Sequence, residues 1–514
     1  MRRLTAFLLF FLFGVPAAAL GHASVTTWHN DVARTGQNLL ETRLTPASLR
    51  AGGFRKLCGR PVDGQIYAQP LYAPRVATRG GPRDLVFVAT EHDSVYAFDA
   101  DCRAHGPVWK TSFLGAGVTT MPCTSRAQPQ CDTTIISPEH GVTATPVIDL
   151  GRDTLYVAAQ SVEGGVYRQK LHALDLRTGR ELADSPVTIE ATAPGNAAKR
   201  FDSREAFQRG GLLLLGGVVY IPFASNDSAS GWMIGYDAAT LARRRVFCVT
   251  PTGNLGGIWS GGAGPAVDAG GSIYVATGNG TFDPTQGGPN FGMSVLRLAE
   301  RDGALTVGDY FSPSDEASLS RRDLDLGSGG IMLLPDQPGA HPHEAIIGFK
   351  TGTLFLLDRD GLGHENTAKA VQHFVANPQG FYSTAAFWRG DVYLAGVSGR
   401  LTQWRLENGL FPPRATHESA SLFSYPGATP SISSNGQSNG IVWAIDTAGR
   451  VQGGPPAVLR AYDADDVSVE LYGSNAAGSR DAAGPGVKFS VPTIADGRVF
   501  VGTQSELDIY GLSR

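Results

Sequence analysis

Leu171-His172-Ala173-Leu174-Asp175-Leu176-Arg177-Thr178-Gly179 is a strand of alternating apolar residues that ends in an Asp and a glycine-containing turn. The pattern returns at residues 95–99, 233–237, 354–358 and 459–463, with weaker copies at 294–298, 401–404 and 507–510. The Asp can accept backbone N–H bonds in the turn that follows, so we interpret these carboxylates as turn caps rather than catalytic acids. Eight copies of one pattern indicate a repeat architecture.

Each copy is preceded by two further β-rich segments and is often followed by a fourth. In the first unit these segments are residues 68–71, 86–89 and 109–113. The first segment often contains small residues and Pro, which suit an innermost strand where neighbouring units crowd the axis. Four strands in each of eight units predict an all-β fold, an eight-bladed β-propeller of four-stranded antiparallel blades.

The ends of the repeat indicate how the ring closes. The last unit ends at Leu512 after three strands, and one unassigned strand, residues 54–62, precedes the first unit. Pairing the two predicts a ring closed by an N-terminal strand, which also covers an otherwise exposed edge. A β-sandwich array and a pair of smaller domains are the alternatives.

The first 23 residues predict a signal peptide. Arg2 and Arg3 precede an apolar run at residues 7–15, and mostly small residues follow. Cleavage is expected after Ala23, with Ala19 as the second choice, and the run is too short to span a bilayer. A retained membrane anchor is the alternative. We therefore expect a signal peptide at 1–23, an N-terminal segment at 24–53 and the propeller at 54–514, in the periplasm or secreted.

The composition agrees with an exported β-protein. Charged residues make up 18 % of the chain, below the roughly 25 % that is usual, and 65 Gly suit many tight turns. The net charge of -4 gives no reason to expect nucleic acid or an anionic membrane as a partner. The sequence contains no G-x-S-x-G, H-E-x-x-H, phosphate-binding Gly loop or C-x-x-C motif.

The chain has five cysteines, Cys58, Cys102, Cys123, Cys131 and Cys248. Export places them in an oxidising compartment. Cys123 and Cys131 flank a short polar loop and predict a local disulfide. The other three cannot all pair within the chain, and the sequence does not assign them.

The repeat resembles that of the pyrroloquinoline-quinone (PQQ) propeller family. The resemblance rests on residues 173–179 and on the opening residues 28–31 and 33–36, and it covers nearly the whole mature chain. The family includes PQQ-dependent dehydrogenases and cofactor-free scaffolds. Quinoprotein alcohol dehydrogenases carry an adjacent Cys pair, and many use a C-x-x-C-H haem site; this sequence has neither. The Trp that docks the blades in the family is also mostly missing, and Trp109 comes nearest to it.

Loop lengths indicate which face of the propeller binds ligands. The links that enter the innermost strands and those between second and third strands open on one face, and many of them are long, at residues 115–138, 192–209, 280–291, 312–327 and 474–486. Most links on the other face are short, such as 388–390 and 495–497. Binding concentrates in elaborate loops on a rigid scaffold, so the central depression of the loop-rich face is the predicted pocket.

Aligning the starts of the blades gives the residues expected around this depression. They are Gln65, Tyr67, Glu139, His140, Arg209, Trp259, Ser260, Asp325, Ser328, Tyr382, Tyr425 and Lys488, with Glu91, His92 and Asp93 in a turn on the same face. The predicted cofactor-binding residues are Arg209, Trp259, Lys488, Tyr425, His140 and Gln65. Arg209 and Lys488 would hold an anionic, planar quinone stacked on Trp259.

Two of these residues, Asp325 and Glu139, are the candidate catalytic groups, as a base or as Ca²⁺ ligands. The structural alternative is that polar side chains only fill a channel. In that case Lys488 pairs with Glu139 or Asp325.

Two functions from different classes follow. The first is an exported, monomeric propeller that binds a protein, a glycan or a small molecule on its loop-rich face. The alternative is a dehydrogenase of alcohols or sugars that depends on PQQ and Ca²⁺, and another propeller enzyme such as a lyase or hydrolase remains a third. The missing Cys pair favours the first function, whereas the converging acids, cations and aromatic rings favour the second.

Overall fold

Eight antiparallel sheets of four main strands form a propeller in the computed structural model. The structure describes residues 22–124, 136–225, 229–301, 303–447 and 453–513. The first strands of blades 2 and 3, 4 and 5, 6 and 7, 7 and 8, and 8 and 1 contact one another, so the two ends of the ring meet. The predicted fold class is therefore confirmed. Residues 1–21 of the predicted signal peptide lie outside the described ranges.

The strands of blades 1 to 4, in chain order, are Leu71–Thr78, Gly81–Ala89, Ser94–Asp99 and Trp109–Ser112; Val147–Asp149, Thr154–Glu163, Val166–Asp175 and Val187–Thr188; Leu213–Leu215, Val218–Ser225, Trp232–Asp237 and Arg243–Cys248; and Ala266–Val267, Ile273–Ala276, Val295–Arg301 and Ala304–Ser312. Those of blades 5 to 8 are Met332–Leu333, Glu344–Gly348, Thr353–Asp358 and Gln372–Val375; Ala386–Trp388, Asp391–Ala395, Gly399–Arg405 and His417–Phe423; Ser431–Asn435, Ser438–Asp446, Val458–Asp463 and Glu470–Gly473; and Thr493–Ala495, Arg498–Gly502, Glu506–Leu512 and Phe54–Pro61.

The remaining elements are short and lie in the links. The strands are Gln37–Asn38, Val118–Pro122, Glu139–His140, Thr192–Ala193, Asn196–Arg200, Ala206–Phe207 and His364–Glu365. The α-helices are Pro46–Arg50 and Glu316–Arg321, and the 3₁₀ turns are Ser260–Gly262, Pro284–Gln286, Leu326–Ser328, Thr367–Lys369 and Gly478–Arg480. Within the described ranges, no helix has the length and apolar character needed to cross a bilayer.

The ring closes where the sequence predicts it. Phe54–Pro61 runs antiparallel to Glu506–Leu512, with Phe54 opposite Leu512 and Pro61 opposite Glu506. The N-terminal strand thereby becomes the fourth strand of blade 8 and covers the edge of the last strand in the chain.

The repeated Asp residues cap turns, as expected from the sequence. The Asp175 carboxylate accepts the backbone N–H groups of Arg177 at 3.1 Å and Thr178 at 3.0 Å. Asp237 does the same for the two corresponding N–H groups in blade 3. These carboxylates accept hydrogen bonds from the backbone, which explains why Asp recurs in the pattern without a catalytic role.

Gly179 shows why the repeat ends in glycine. It has a φ of 68°, and a Cβ built on it would lie 2.4 Å from Cε3 of Trp109 in the preceding blade. The indole Nε1 of Trp109 donates a hydrogen bond to the carbonyl oxygen of Leu176 at 2.9 Å. The turn of blade 2 therefore docks on the fourth strand of blade 1, and a side chain at position 179 would push the two apart.

The N-terminal segment lies inside the ring and meets the blades in order. Its carbonyl groups accept hydrogen bonds from residues in or beside the first strands of blades 1, 2, 4, 5, 6 and 7, given by Tyr72, Ile148, Val267, Leu333, Phe387 and Ile432. Trp28 packs against Gly211 at the start of blade 3. In blade 8, the carbonyl of Ile494 accepts a hydrogen bond from the Asn38 side chain at 2.9 Å. One stretch of about fifteen residues thus ties all eight blades together at the axis.

Arg34 is the most heavily bonded side chain of this segment, and it is fully buried. Its Nε and Nη2 donate to the carbonyl oxygen of Pro265 at 2.9 and 2.7 Å. Its Nη1 donates to the Thr27 hydroxyl at 2.8 Å and to the carbonyls of Trp28 at 2.7 Å and Asp31 at 3.1 Å. Burial lowers the pKa of Arg34 to about 10, which leaves the group charged at neutral pH.

The cysteine pairing adds a covalent link at the point of closure. Cys58 of the closing strand forms a disulfide with Cys102, which follows the third strand of blade 1. Cys248 is a buried free thiol. The predicted partner of Cys123, Cys131, lies outside the described residues, so that pairing stays a prediction.

Candidate functional site

A cavity of about 550 Å³ opens at the loop-rich face, where the links of blades 2 to 8 converge. Its wall is built from links that enter first strands and from turns between second and third strands. The lining residues are Arg209, Ser225, Leu255, Trp259, Gly261, Asn279, Asp323, Asp325, Ser328, Lys350, Tyr382, Tyr425, Lys488 and Phe489. The cavity therefore combines cations, carboxylates and aromatic rings.

One side of the cavity carries cations on aromatic rings. The guanidinium carbon of Arg209 lies 4.9 Å from the ring centre of Phe489 and 5.9 Å from that of Trp259. The Nζ of Lys488 lies 5.7 Å from the Phe489 ring centre. Burial lowers the pKa of Arg209, although the neighbouring tyrosines and Glu91 act in the opposite direction. Two positive charges therefore face the cavity beside a half-buried indole, in the geometry of cation–π contacts.

The other side of the cavity carries the carboxylates. The Nζ of Lys350 lies 2.5 Å from Oδ2 of Asp325 and 3.1 Å from Oδ1 of Asp323. Burial acts to lower the pKa of Lys350, but the two carboxylates outweigh it and raise that pKa above its ordinary value. The ammonium therefore stays charged and fixes both acids.

Asn279 completes this acidic side. Its backbone N–H donates to Oδ1 of Asp325 at 2.7 Å, and its side-chain Nδ2 donates to Oδ1 of Asp323 at 2.7 Å. Its own carbonyl oxygen, Oδ1, is buried and has no hydrogen-bond partner among the described residues.

A pair of tyrosines and one glycine form the third wall. The rings of Tyr382 and Tyr425 pack edge to face with centres 5.2 Å apart. Gly261 has a φ of 55°, and a Cβ built there would lie 2.0 Å from the Tyr382 carbonyl oxygen. Because the Trp259 turn approaches the Tyr382 backbone this closely, only glycine fits at position 261.

The structure brings together five of the eight predicted site residues and separates three. Arg209, Trp259, Asp325, Tyr425 and Lys488 line the cavity. Asp325 forms an ion pair with Lys350, and the alternative pairing of Lys488 stays a prediction. The roles of these residues stay predictions.

The three other predicted residues lie outside the lining. The Glu139 carboxylate bonds to His92 Nδ1 at 2.9 Å and accepts from the Thr120 hydroxyl at 2.7 Å. The Gln65 side chain donates to the Ser137 carbonyl at 2.7 Å. His140 is buried against Phe207. Burial, assisted by Arg209 and Lys488, lowers the pKa of His140 to about 3, so the imidazole is neutral.

The alignment of blade starts missed Lys350 and Asn279 because they lie elsewhere in the repeat. Both lie in the turn that follows the second strand of their blades, where Glu91 and His92 lie in blade 1. Comparing that turn across all blades would have found them.

Comparison with solved structures shows which known proteins share this fold. Quinohemoprotein alcohol dehydrogenase from Comamonas testosteroni matches with a TM-score of 0.61 and 15% identity, over 96% of this chain and 81% of that chain. The chain shares the propeller fold of quinoprotein dehydrogenases. The predicted resemblance is thereby confirmed for the fold. Identity this low carries no information about activity.

Two further solved structures share the fold. A europium-containing methanol dehydrogenase matches with a TM-score of 0.61 and 12% identity, over 95% of this chain and 98% of that chain. BamB from Moraxella catarrhalis matches with a TM-score of 0.51 and 12% identity, over 89% and 99%. No protein-family model and no curated protein matches the chain. Function therefore has to be argued from the cavity itself.

Glu91 lies buried in the interior beside this cavity. Its Oε2 accepts hydrogen bonds from the Gly141 N–H at 2.9 Å and the Thr143 hydroxyl at 3.0 Å, whereas its Oε1 has no partner. Burial raises the pKa of Glu91 to about 7. An acid with a raised pKa stabilises the fold below its unfolded pKa, and that contribution is lost as the pH rises to the folded pKa.

We therefore expect the Glu91→Gln variant to gain stability relative to the wild type as the pH rises. Between pH 4 and pH 8 the difference in unfolding free energy should grow by about 3 kcal/mol, because the amide keeps the acceptor but carries no charge. Urea unfolding of both proteins at the two pH values measures it. Glu418→Gln, at an exposed glutamate, is the matched control and should change little. A difference that stays constant with pH would contradict the prediction.

Proposed function

We propose that the protein binds a planar organic anion in the cavity of its loop-rich face. The observation that carries the proposal is the arrangement of Arg209 and Lys488 on the Phe489 ring, beside the half-buried Trp259 indole. Guanidinium and ammonium groups hold carboxylates, and an indole offers a flat surface for stacking. The volume of about 550 Å³ lies within the range of small-molecule sites.

The place of action that we propose is the periplasm or the exterior of the cell. The predicted signal peptide supports this, and the Cys58–Cys102 disulfide agrees with an oxidising compartment. The protein would then act as an exported binding module.

The second candidate function is a PQQ-dependent dehydrogenase of alcohols or sugars. The polar cluster of Asp325, Lys350 and Asn279 favours it, because it faces the cations across the same cavity. PQQ fits the cationic and aromatic side, where Arg209 and Lys488 would hold its carboxylates. When bound, the quinone supplies a two-electron acceptor.

The residues of this chain would then position the substrate and move its proton. Asp325 has one oxygen fixed by Lys350 and the other by the Asn279 N–H, so the carboxylate is oriented as a proton acceptor for a hydroxyl group.

Ca²⁺, the other cofactor considered from the sequence, does not fit the described residues. They contain no group of three His, Cys, Asp or Glu side chains placed for a metal ion. Lys350 and Asn279 already bind Asp325. The remaining oxygen ligands, those of Asp323 and one amide, are too few for Ca²⁺, which takes 6–8 oxygens. We derive no step through a metal.

The test is a titration of the purified protein with PQQ, followed by thermal unfolding and absorbance. At a hundred times its Kd the ligand should stabilise the fold by about 2.7 kcal/mol. Trp259→Ala and Lys488→Ala should each weaken binding roughly tenfold or more, since each removes a stacking or charge contact. Lys369→Ala, at an exposed lysine outside the cavity, should leave binding unchanged.

The outcomes separate the two candidate functions. No binding to folded wild type, or equal loss in the Lys369 control, rejects PQQ as the anion. Binding without dye-linked electron transfer from alcohols or sugars leaves the binding module and rejects the dehydrogenase. Electron transfer that Asp325→Asn abolishes, while PQQ binding persists, supports the dehydrogenase.

A further inference from the structure

A second cavity, of about 410 Å³, opens on the opposite face, between blades 1 and 2. It is formed by the turn between the first two strands of blade 1, the start of that blade's fourth strand, and the Asp175 turn of blade 2. The lining residues are Thr78, Arg79, Gly80, Arg83, Ala104, Pro107, Val108, Trp109, Arg177, Thr178 and Arg180. We call it the rim pocket; it shares no residue with the central cavity.

The lining of the rim pocket contains four arginines and no carboxylate. Arg83 reaches Asp99 at 3.3 Å and Arg177 reaches Asp175 at 2.9 Å, so two of the four charges are balanced. In the described ranges, the guanidinium groups of Arg79 and Arg180 make no ion pair within 4.0 Å. The pocket therefore carries two uncompensated positive charges on a protein whose net charge is -4.

The walls of the pocket are fixed and leave the guanidinium groups accessible. Trp109 is held by the Leu176 carbonyl at 2.9 Å and packs on Gly179. A Cβ at position 80 would lie 3.1 Å from Nη2 of Arg83, so glycine keeps that edge of the guanidinium open. Pro107 and Val108 add an apolar wall.

We propose that the rim pocket binds a small organic phosphate monoester. Guanidinium groups form paired hydrogen bonds with phosphate oxygens. A monoester carries close to two negative charges at neutral pH, which matches the two arginines without carboxylate partners. The cavity is larger than a bare phosphate ion, and its apolar wall suits the organic part of an ester.

The test is calorimetric titration with phenyl phosphate at about 10 mM ionic strength, where the Debye length is about 30 Å. The wild type should bind one equivalent in the rim pocket, in addition to any that the central cavity holds. The affinity of the double variant Arg79→Ala/Arg180→Ala should fall roughly tenfold or more, since two charge-assisted contacts are lost. Arg55→Ala/Arg414→Ala removes the same charge from two exposed arginines elsewhere and should bind as the wild type does.

Titrations with other ligands show which parts of the phosphate monoester supply the affinity. Phenyl sulfate, with a single charge, should bind more weakly than phenyl phosphate, and inorganic phosphate should bind more weakly because it lacks the apolar part. Saturating PQQ should leave the equivalent bound in the rim pocket unchanged, because the two cavities are separate. Equal loss in the control double variant, equal binding of phenyl sulfate, or no binding by the folded wild type would overturn the proposal.

Discussion

Replacing Arg34 with alanine should lower the free energy of unfolding by about 5 kcal/mol, because it leaves several buried carbonyl oxygens without a donor. The guanidinium joins the N-terminal segment to blade 4. It donates to four acceptors, among them the carbonyl of Pro265 beside blade 4 and the carbonyls of Trp28 and Asp31 in the segment itself. Arg34 is fully buried, so most of these acceptors lose their donor inside the protein. The loss should exceed that of an ordinary core truncation.

Guanidinium chloride unfolding, followed by tryptophan fluorescence, measures the change. The control is Arg43→Ala, because Arg43 lies on the same segment but is exposed and donates one hydrogen bond, to the Asp496 carbonyl. Its loss should stay below about 1 kcal/mol. Similar losses in the two variants would show that the segment does not hold the blades together.

Removing the Cys58–Cys102 disulfide with the double variant Cys58→Ser/Cys102→Ser should cost about 4 kcal/mol. The two cysteines are 44 residues apart, so the cross-link closes a long loop in the unfolded chain. It also joins the strand that closes the ring to the neighbouring blade, and its loss frees that strand to detach. We expect the transition midpoint in urea to fall accordingly.

Reductant provides the internal control. Reduced wild type and the reduced double serine variant should unfold at the same urea concentration, because the predicted Cys123–Cys131 disulfide is then broken in both. A wild type that is equally stable with and without reductant would contradict a stabilising role for this disulfide.

The repeat could be predicted from the sequence because each unit has to form the same turn. An Asp that caps its turn and a Gly that admits the neighbouring Trp109 are needed in the turn whatever the function, so they mark the blades in the sequence. The closing strand was readable for a similar reason, since an unpaired last strand requires a partner.

The site was only partly predictable because it is assembled from two kinds of loop. Arg209, Trp259 and Asp325 come from links that enter the blades, where alignment by blade start applies. Lys350 and Asn279 come from turns inside blades 5 and 4, and the ion pair and the backbone hydrogen bond that they make to Asp325 bring together residues far apart in the sequence. The Cys58–Cys102 bond likewise forms only once blades 8 and 1 are adjacent.

Ring closure also sets an order of events during synthesis. The strand at residues 54–61 is made more than four hundred residues before its partner at 506–512. Contacts this distant in sequence form slowly, and until then both edges are open to pairing with other chains. The protein therefore becomes a closed ring only after residues 506–512 have left the ribosome.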